Sequence, residues 1–259
     1  LTRGECEAAA KLLDIEAMIA ASPEARGALL RERAFVLEEE LLEDRAAVAT
    51  LESLLAQGAD AEAASEHARL VAKKGKWKDL VGDFRRRAEN DTTDPTVIAS
   101  LLVSAAALVL QYKNKLKDRD VDSIFEEALQ IDPSNLRAIQ LFERILRRRG
   151  TRWDDVARVL EAGAEAVTDV EERGYLLLRA ARVHAGRRSD LAGAERCYRR
   201  VLQIDPTNAD ALRFLGVILQ DAERWDDLVA LYEAALAAQP DQPDQGLLVQ
   251  VAMTHWRMR

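Results

Sequence analysis

The sequence predicts an all-α protein of helical hairpins stacked into a solenoid, and three observations carry that expectation. Strand signals are scarce: there is no sustained alternation of β-branched residues and no Asn-Gly hairpin turn, while Ala, Leu, Arg and Glu dominate. Punctuation recurs at Ser22-Pro23, Gly58, Gly75, Asp94-Pro95, Pro133, Gly150, Gly186, Pro206, Pro240 and Pro243. It leaves helices of roughly 12–20 residues joined by short turns. Finally, "ALQIDPSNLRAI" at 128–139 returns as "VLQIDPTNADAL" at 201–212, and a recurring segment of this kind encodes a recurring piece of architecture.

Taken in order, the pattern opens with a lone helix near 4–20. It continues through hairpins at about 24–57, 60–90, 95–131, 135–167, 170–204 and 208–238, and closes with a helix from about 243. In the repeated segment, Ile131 and Ile204 end an apolar helical face. Asp-Pro stops the helix, because the residue before proline is pushed out of the helical region. Ser134/Asn135 and Thr207/Asn208 are then placed to cap the next one. A second marker runs in phase with the first: "WKDL" at Trp77, "WDDV" at Trp153 and "WDDL" at Trp225. These tryptophans are expected at the start of second helices, packed in the core. The acidic pairs Asp154/Asp155 and Asp226/Asp227 are expected in first helical turns, where negative charge is favoured. The longest apolar stretch, 97–110, is shorter than a bilayer span and reads as a buried helix, so no membrane insertion is expected.

Pro206 and Pro240 lie 34 residues apart. Between them Leu212, Leu215, Gly216 and Leu219 fall on a Trp-x2-Leu-Gly-x2-Tyr pattern, and Leu228 and Tyr232 on Ala-x3-Phe. Val121/Phe125, Ala194/Tyr198 and Ile139/Phe142/Leu146 repeat parts of it upstream. This segment resembles a tetratricopeptide repeat, and the resemblance extends over most of the chain with falling quality toward the N-terminus. It implies a right-handed α-α superhelix of about six hairpins plus flanking helices, a single solenoid over 1–259. Each hairpin leaves apolar faces for its neighbours to cover, and both ends of the chain read as cut from a longer array.

Function follows as a set of expectations. Of 259 residues 48% are hydrophobic, ample for a core, and 37 basic against 45 acidic residues give a net charge of −8. That balance disfavours nucleic acid as a partner. Cys6 and Cys197 lie far apart, without Cys/His spacing near either, so no disulfide framework and no metal site is expected. A reducing, cytoplasmic location fits. His67, His184 and His255 stand isolated, and no nucleophile elbow, phosphate loop or dinucleotide fingerprint occurs. Neither catalysis nor a cofactor is therefore expected.

Arginines, with one glutamine, recur on predicted first helices: Arg137, Gln140 and Arg144, then Arg173, Arg179 and Arg182, then Arg213. In proteins of the tetratricopeptide type first helices line a concave groove that grips extended peptides. The resemblance therefore makes these seven residues candidate peptide contacts, suited to an acidic segment because guanidinium pairs bidentately with carboxylate. A solvated helix face balanced by nearby acids is the other reading of the same stripe. The Lys/Asn clamp of the chaperone-binding members is absent, its place taken by Arg213, Phe214 and Val217. The acidic run "EEELLED" at 38–44 could meet a basic partner or simply aid solubility. The function expected is a non-enzymatic scaffold; the alternative is the regulatory array of a larger enzyme, such as a kinase, protease or glycosyltransferase.

Overall fold

A computed structural model describes residues 6–90, 92–113, 119–240 and 244–257. Among them every regular element is helical. The expected turn between the two helices of 95–131, and Pro243, fall outside the described residues. The chain divides into two compact units, residues 1–145 and 146–259.

The first unit contains α1 (Cys6–Ile19), α2 (Pro23–Phe35), a π-helical turn π1 (Val36–Glu40), α3 (Asp44–Leu55), α4 (Ala61–Asn90), α5 (Pro95–Lys113), α6 (Arg119–Ile131) and most of α7 (Leu136–Arg149). Helix starts follow local chemistry. Ser22 Oγ accepts from the Ala25 amide at 3.1 Å with Pro23 in the first turn, and Asp60 Oδ1 accepts from Ala63 at 2.9 Å. Each satisfies one of the amides that a helix leaves unpaired at its start. Helix α5 is long and apolar enough, by length and composition, to cross a membrane. Here it packs against α4 and α6, and Leu101 through Tyr112 are all buried or half-buried.

Residues 60–90 depart from expectation. Instead of a hairpin they form one uninterrupted helix of 30 residues, and Trp77 lies mid-helix. The cause is visible where true breaks occur. Leu42, Gly150, Ser189 and Glu223 each adopt positive φ (55°, 72°, 53° and 54°) two or three residues before a new helix. Gly75 does not. With no proline and no capping side chain after it, a lone glycine costs a helix only about 1 kcal/mol relative to alanine. Continuity also aligns Arg69, Lys73 and Trp77 at four-residue intervals along one face. Arg69 and Lys73 bind Glu38 of π1 (2.9 Å from Arg69 Nη1 and from Lys73 Nζ), and Trp77 stacks on Tyr112 of α5 with ring centroids 5.9 Å apart.

The second unit contains α8 (Trp153–Ala166), α9 (Val170–Val183), a second π-turn π2 (His184–Arg188), α10 (Leu191–Ile204), α11 (Ala209–Asp221), α12 (Trp225–Ala237) and α13 (Gln245–Arg257). Sequence neighbours pack on one another. Asp154/Asp155 and Asp226/Asp227 occupy first turns as expected. The tryptophans are less deeply placed than expected: Trp77, Trp153 and Trp225 are all half-buried. Each carries a cation over its ring, Lys78 at 5.8 Å, Arg187 at 5.0 Å and Arg257 at 5.9 Å respectively. An amphipathic indole at a helix edge gains from both contacts.

The twin sequences build twin turns. Asp132 Oδ1 accepts from the Ser134 amide (3.0 Å) and hydroxyl (2.7 Å), and Asn135 Oδ1 caps α7 through Ala138 (3.0 Å). Asp205 does the same for Thr207 (3.1 and 2.8 Å), and Asn208 caps α11 through Ala211 (3.2 Å). Asparagine is the cap in both, and the aspartate closes the turn. An aromatic pair spans each turn: Phe125 stacks on Phe142 at 5.4 Å, and Tyr198 meets Phe214 at 4.6 Å.

Candidate functional site

The seven candidate contacts divide between the two units. In the first, α7 uses its arginines on the protein's own acidic run. Arg137 Nη2 lies 3.0 Å from Glu39, and Arg144 donates to the Glu40 carbonyl. Gln140, half-buried between them on α7, has internal interactions of its own. The rest of the run is engaged too. Burial alone would push Glu38 up, but hydrogen bonds from Arg69 and Lys73 outweigh it and hold the carboxyl below its ordinary range. Asp44 takes Lys73 at 3.3 Å and the Tyr112 hydroxyl. The 38–44 run is thus an internal counter-charge to α4 and α7.

In the second unit, Arg173 is engaged with the backbone of the preceding helix. Its Nε and Nη2 donate to the Val167 carbonyl at 3.2 and 2.9 Å, closing the C-terminal end of α8. The remaining three share the faces of α9 and α11. Arg179 lies over the Tyr175 ring at 5.4 Å. One turn on, Arg182 reaches across to Asp210 of α11, and Arg213 takes the other oxygen of that carboxylate at 2.8 Å. Arg182 and Arg213 are 55% and 78% exposed in their side chains. The hydrogen bond from Arg182 holds the Asp210 carboxyl below the usual carboxylate range. Val217, one turn beyond Arg213, is exposed. The face therefore offers two guanidinium groups against one carboxylate, an aromatic ring and an apolar contact.

A second constellation was not legible in the sequence. His184, isolated along the chain, is fully buried at the head of π2. Its Nε2 lies 2.5 Å from Glu161 Oε1 of α8 and its Nδ1 lies 3.0 Å from Asp190 Oδ2. Cys197 of α10 is buried alongside, and one ligand atom each from Glu161, His184 and Cys197 lie within 4.8 Å of one another. Gly193 is required at this point. A β-carbon there would strike the imidazole and Asp190 Oδ2, so only glycine lets the ring lie against the first turn of α10. Burial pushes the Cys197 thiol up to about 11. The spacing of 161, 184 and 197 matches no linear motif; the residues converge because α8, π2 and α10 pack together.

No protein-family model matches the chain, and no curated protein matches it.

Proposed function

We propose that the protein is a non-enzymatic interaction scaffold of tetratricopeptide-like hairpins in a right-handed superhelix, and that it grips an extended acidic segment of a partner protein on the faces of α9 and α11. The observation that carries this reading is the Arg182–Asp210–Arg213 bridge between two consecutive first helices. Two guanidinium groups share one carboxylate, which leaves donors and net positive charge for a second carboxylate. Val217 adds an apolar contact, and Arg179 with Tyr175 extends the face along α9. The 34-residue pitch, and the fit of Gly216 against Tyr232 in the closing repeat, support the hairpin type.

The test is fluorescence anisotropy with labelled Asp/Glu-rich peptides, beside a charge-inverted control, over a salt series. Acidic peptides should bind, with affinity falling as salt rises. The double variant Arg182→Glu/Arg213→Glu should weaken binding at least about tenfold with an unchanged melting temperature, since exposed ion pairs contribute little to stability. Equal binding by parent and variant, or preference for the basic control, would overturn the assignment.

A further inference from the structure

We infer that Glu161, His184 and Cys197 form a binding site for a divalent transition metal of the zinc class, joining α8, π2 and α10. The donor set is one carboxylate oxygen, one imidazole nitrogen and one thiolate sulfur, a mixture suited to a borderline ion and unsuited to magnesium or calcium. Two of the three donors are fully buried, and the Glu161 side chain is 28% exposed. That leaves a route from solvent and a fourth position for water or the second Glu161 oxygen.

Three independent features seat the imidazole. The π-turn inserts a residue into the end of a helix and re-aims His184, a distortion that is rare and frequent at functional sites. Gly193 clears space for the ring. Asp190 stands against the ring nitrogen that faces away from Glu161, the carboxylate–histidine arrangement that orients metal-bound imidazoles.

Charge and tautomer are both accommodated. Without metal, Nε2 faces Glu161 Oε1 at 2.5 Å, and Nδ1 lies 3.0 Å from Asp190 Oδ2 and 2.7 Å from Arg188 Nη1. With metal on Nε2 the ring proton is on Nδ1 and is donated to Asp190. Arg188 then keeps Asp154, already bound through its Nε at 2.6 Å. The thiol loses its proton to solvent on ligation. Arg196, 3.7 Å from the other Glu161 oxygen, balances the second anionic ligand. Tetrahedral bonds of the usual lengths set donor atoms about 3.3–3.7 Å apart. Glu161 and the imidazole must therefore separate by about 1 Å, and the sulfur, within 4.8 Å of both, closes by no more than about that amount, adjustments of side-chain size.

The experiment is titration of the metal-stripped protein with Zn²⁺ and with Co²⁺. The expected result is one equivalent bound, a raised melting temperature, one proton released per metal, and a thiolate-to-cobalt charge-transfer band in the near ultraviolet. Cys197→Ser should abolish the band. Glu161→Gln, at a part-exposed position, should weaken binding while folding normally, and Asp190→Asn, which keeps a helix-capping oxygen, should weaken it about 10–100-fold. The cobalt spectrum of the unaltered protein reads the ligand set even where a variant fails to fold. Sub-stoichiometric binding, a cobalt complex without a thiolate band, or equal affinity in parent and Glu161→Gln would overturn the site.

Discussion

At the scale of single residues, Gly216 in α11 fits tightly against Tyr232 in α12. A β-carbon at 216 would collide with the tyrosine hydroxyl, while the ring carbon bearing that hydroxyl would sit at an ordinary 3.4 Å. Gly216→Ala should therefore cost about 1–2 kcal/mol despite the better helix propensity of alanine. In a Tyr232→Phe background most of that cost should vanish, and a double-mutant cycle in urea reads the coupling directly. Gly216 was legible to the extent that the expected hairpin pattern places a glycine there. His184 was not, since its partners lie 23 residues before it and 6 and 13 after it, and its burial depends on a π-turn and a glycine that no periodicity announces. The arginines were half legible. Their spacing placed them on helix faces, yet whether each guanidinium meets solvent, a carbonyl as Arg173 does, or a distant carboxylate as Arg137 does is decided by tertiary packing.

At the scale of elements, most boundaries followed from proline, capping residues and turn chemistry, and α8, α9, α11 and α12 start within a residue or two of the positions the sequence indicates. The failure at α4 shows what punctuation lacks. Gly75 and Gly150 both precede a Trp-Asp or Trp-Lys segment, but only Gly150 takes the left-handed conformation that ends a helix. The two should respond oppositely to the same substitution. At Gly75 a β-carbon meets nothing within 4 Å, so Gly75→Ala should stabilise by about 0.5–1 kcal/mol. At Gly150, with φ of 72°, alanine should destabilise by about 1–2 kcal/mol. Chemical denaturation of the two variants checks both signs. Equal effects would mean that α4 is broken at Gly75 after all.

For the whole molecule, the sequence places a block of acid at 38–44 in a chain already at −8, and the fold turns that block inward. Arg137 and Arg144 hold it from α7, and Arg69 and Lys73 from α4. The two α7 arginines should then behave as structural groups of unequal weight. Arg137→Glu, at an exposed pair, should cost less than about 1 kcal/mol. Arg144→Glu, setting a carboxylate against a half-buried carbonyl, should cost about 2–3 kcal/mol. Thermal melts separate them, and a larger loss from Arg137→Glu would reverse the ranking. The paired carboxylates of Glu38, Glu39 and Asp44 also have a kinetic consequence. Carboxylates already matched by cations within a few ångströms project little field beyond a Debye length of about 8–10 Å. A basic molecule diffusing toward the first unit should therefore be drawn to these three carboxylates less than their charge alone would give, and the salt dependence of its association rate measures how much less.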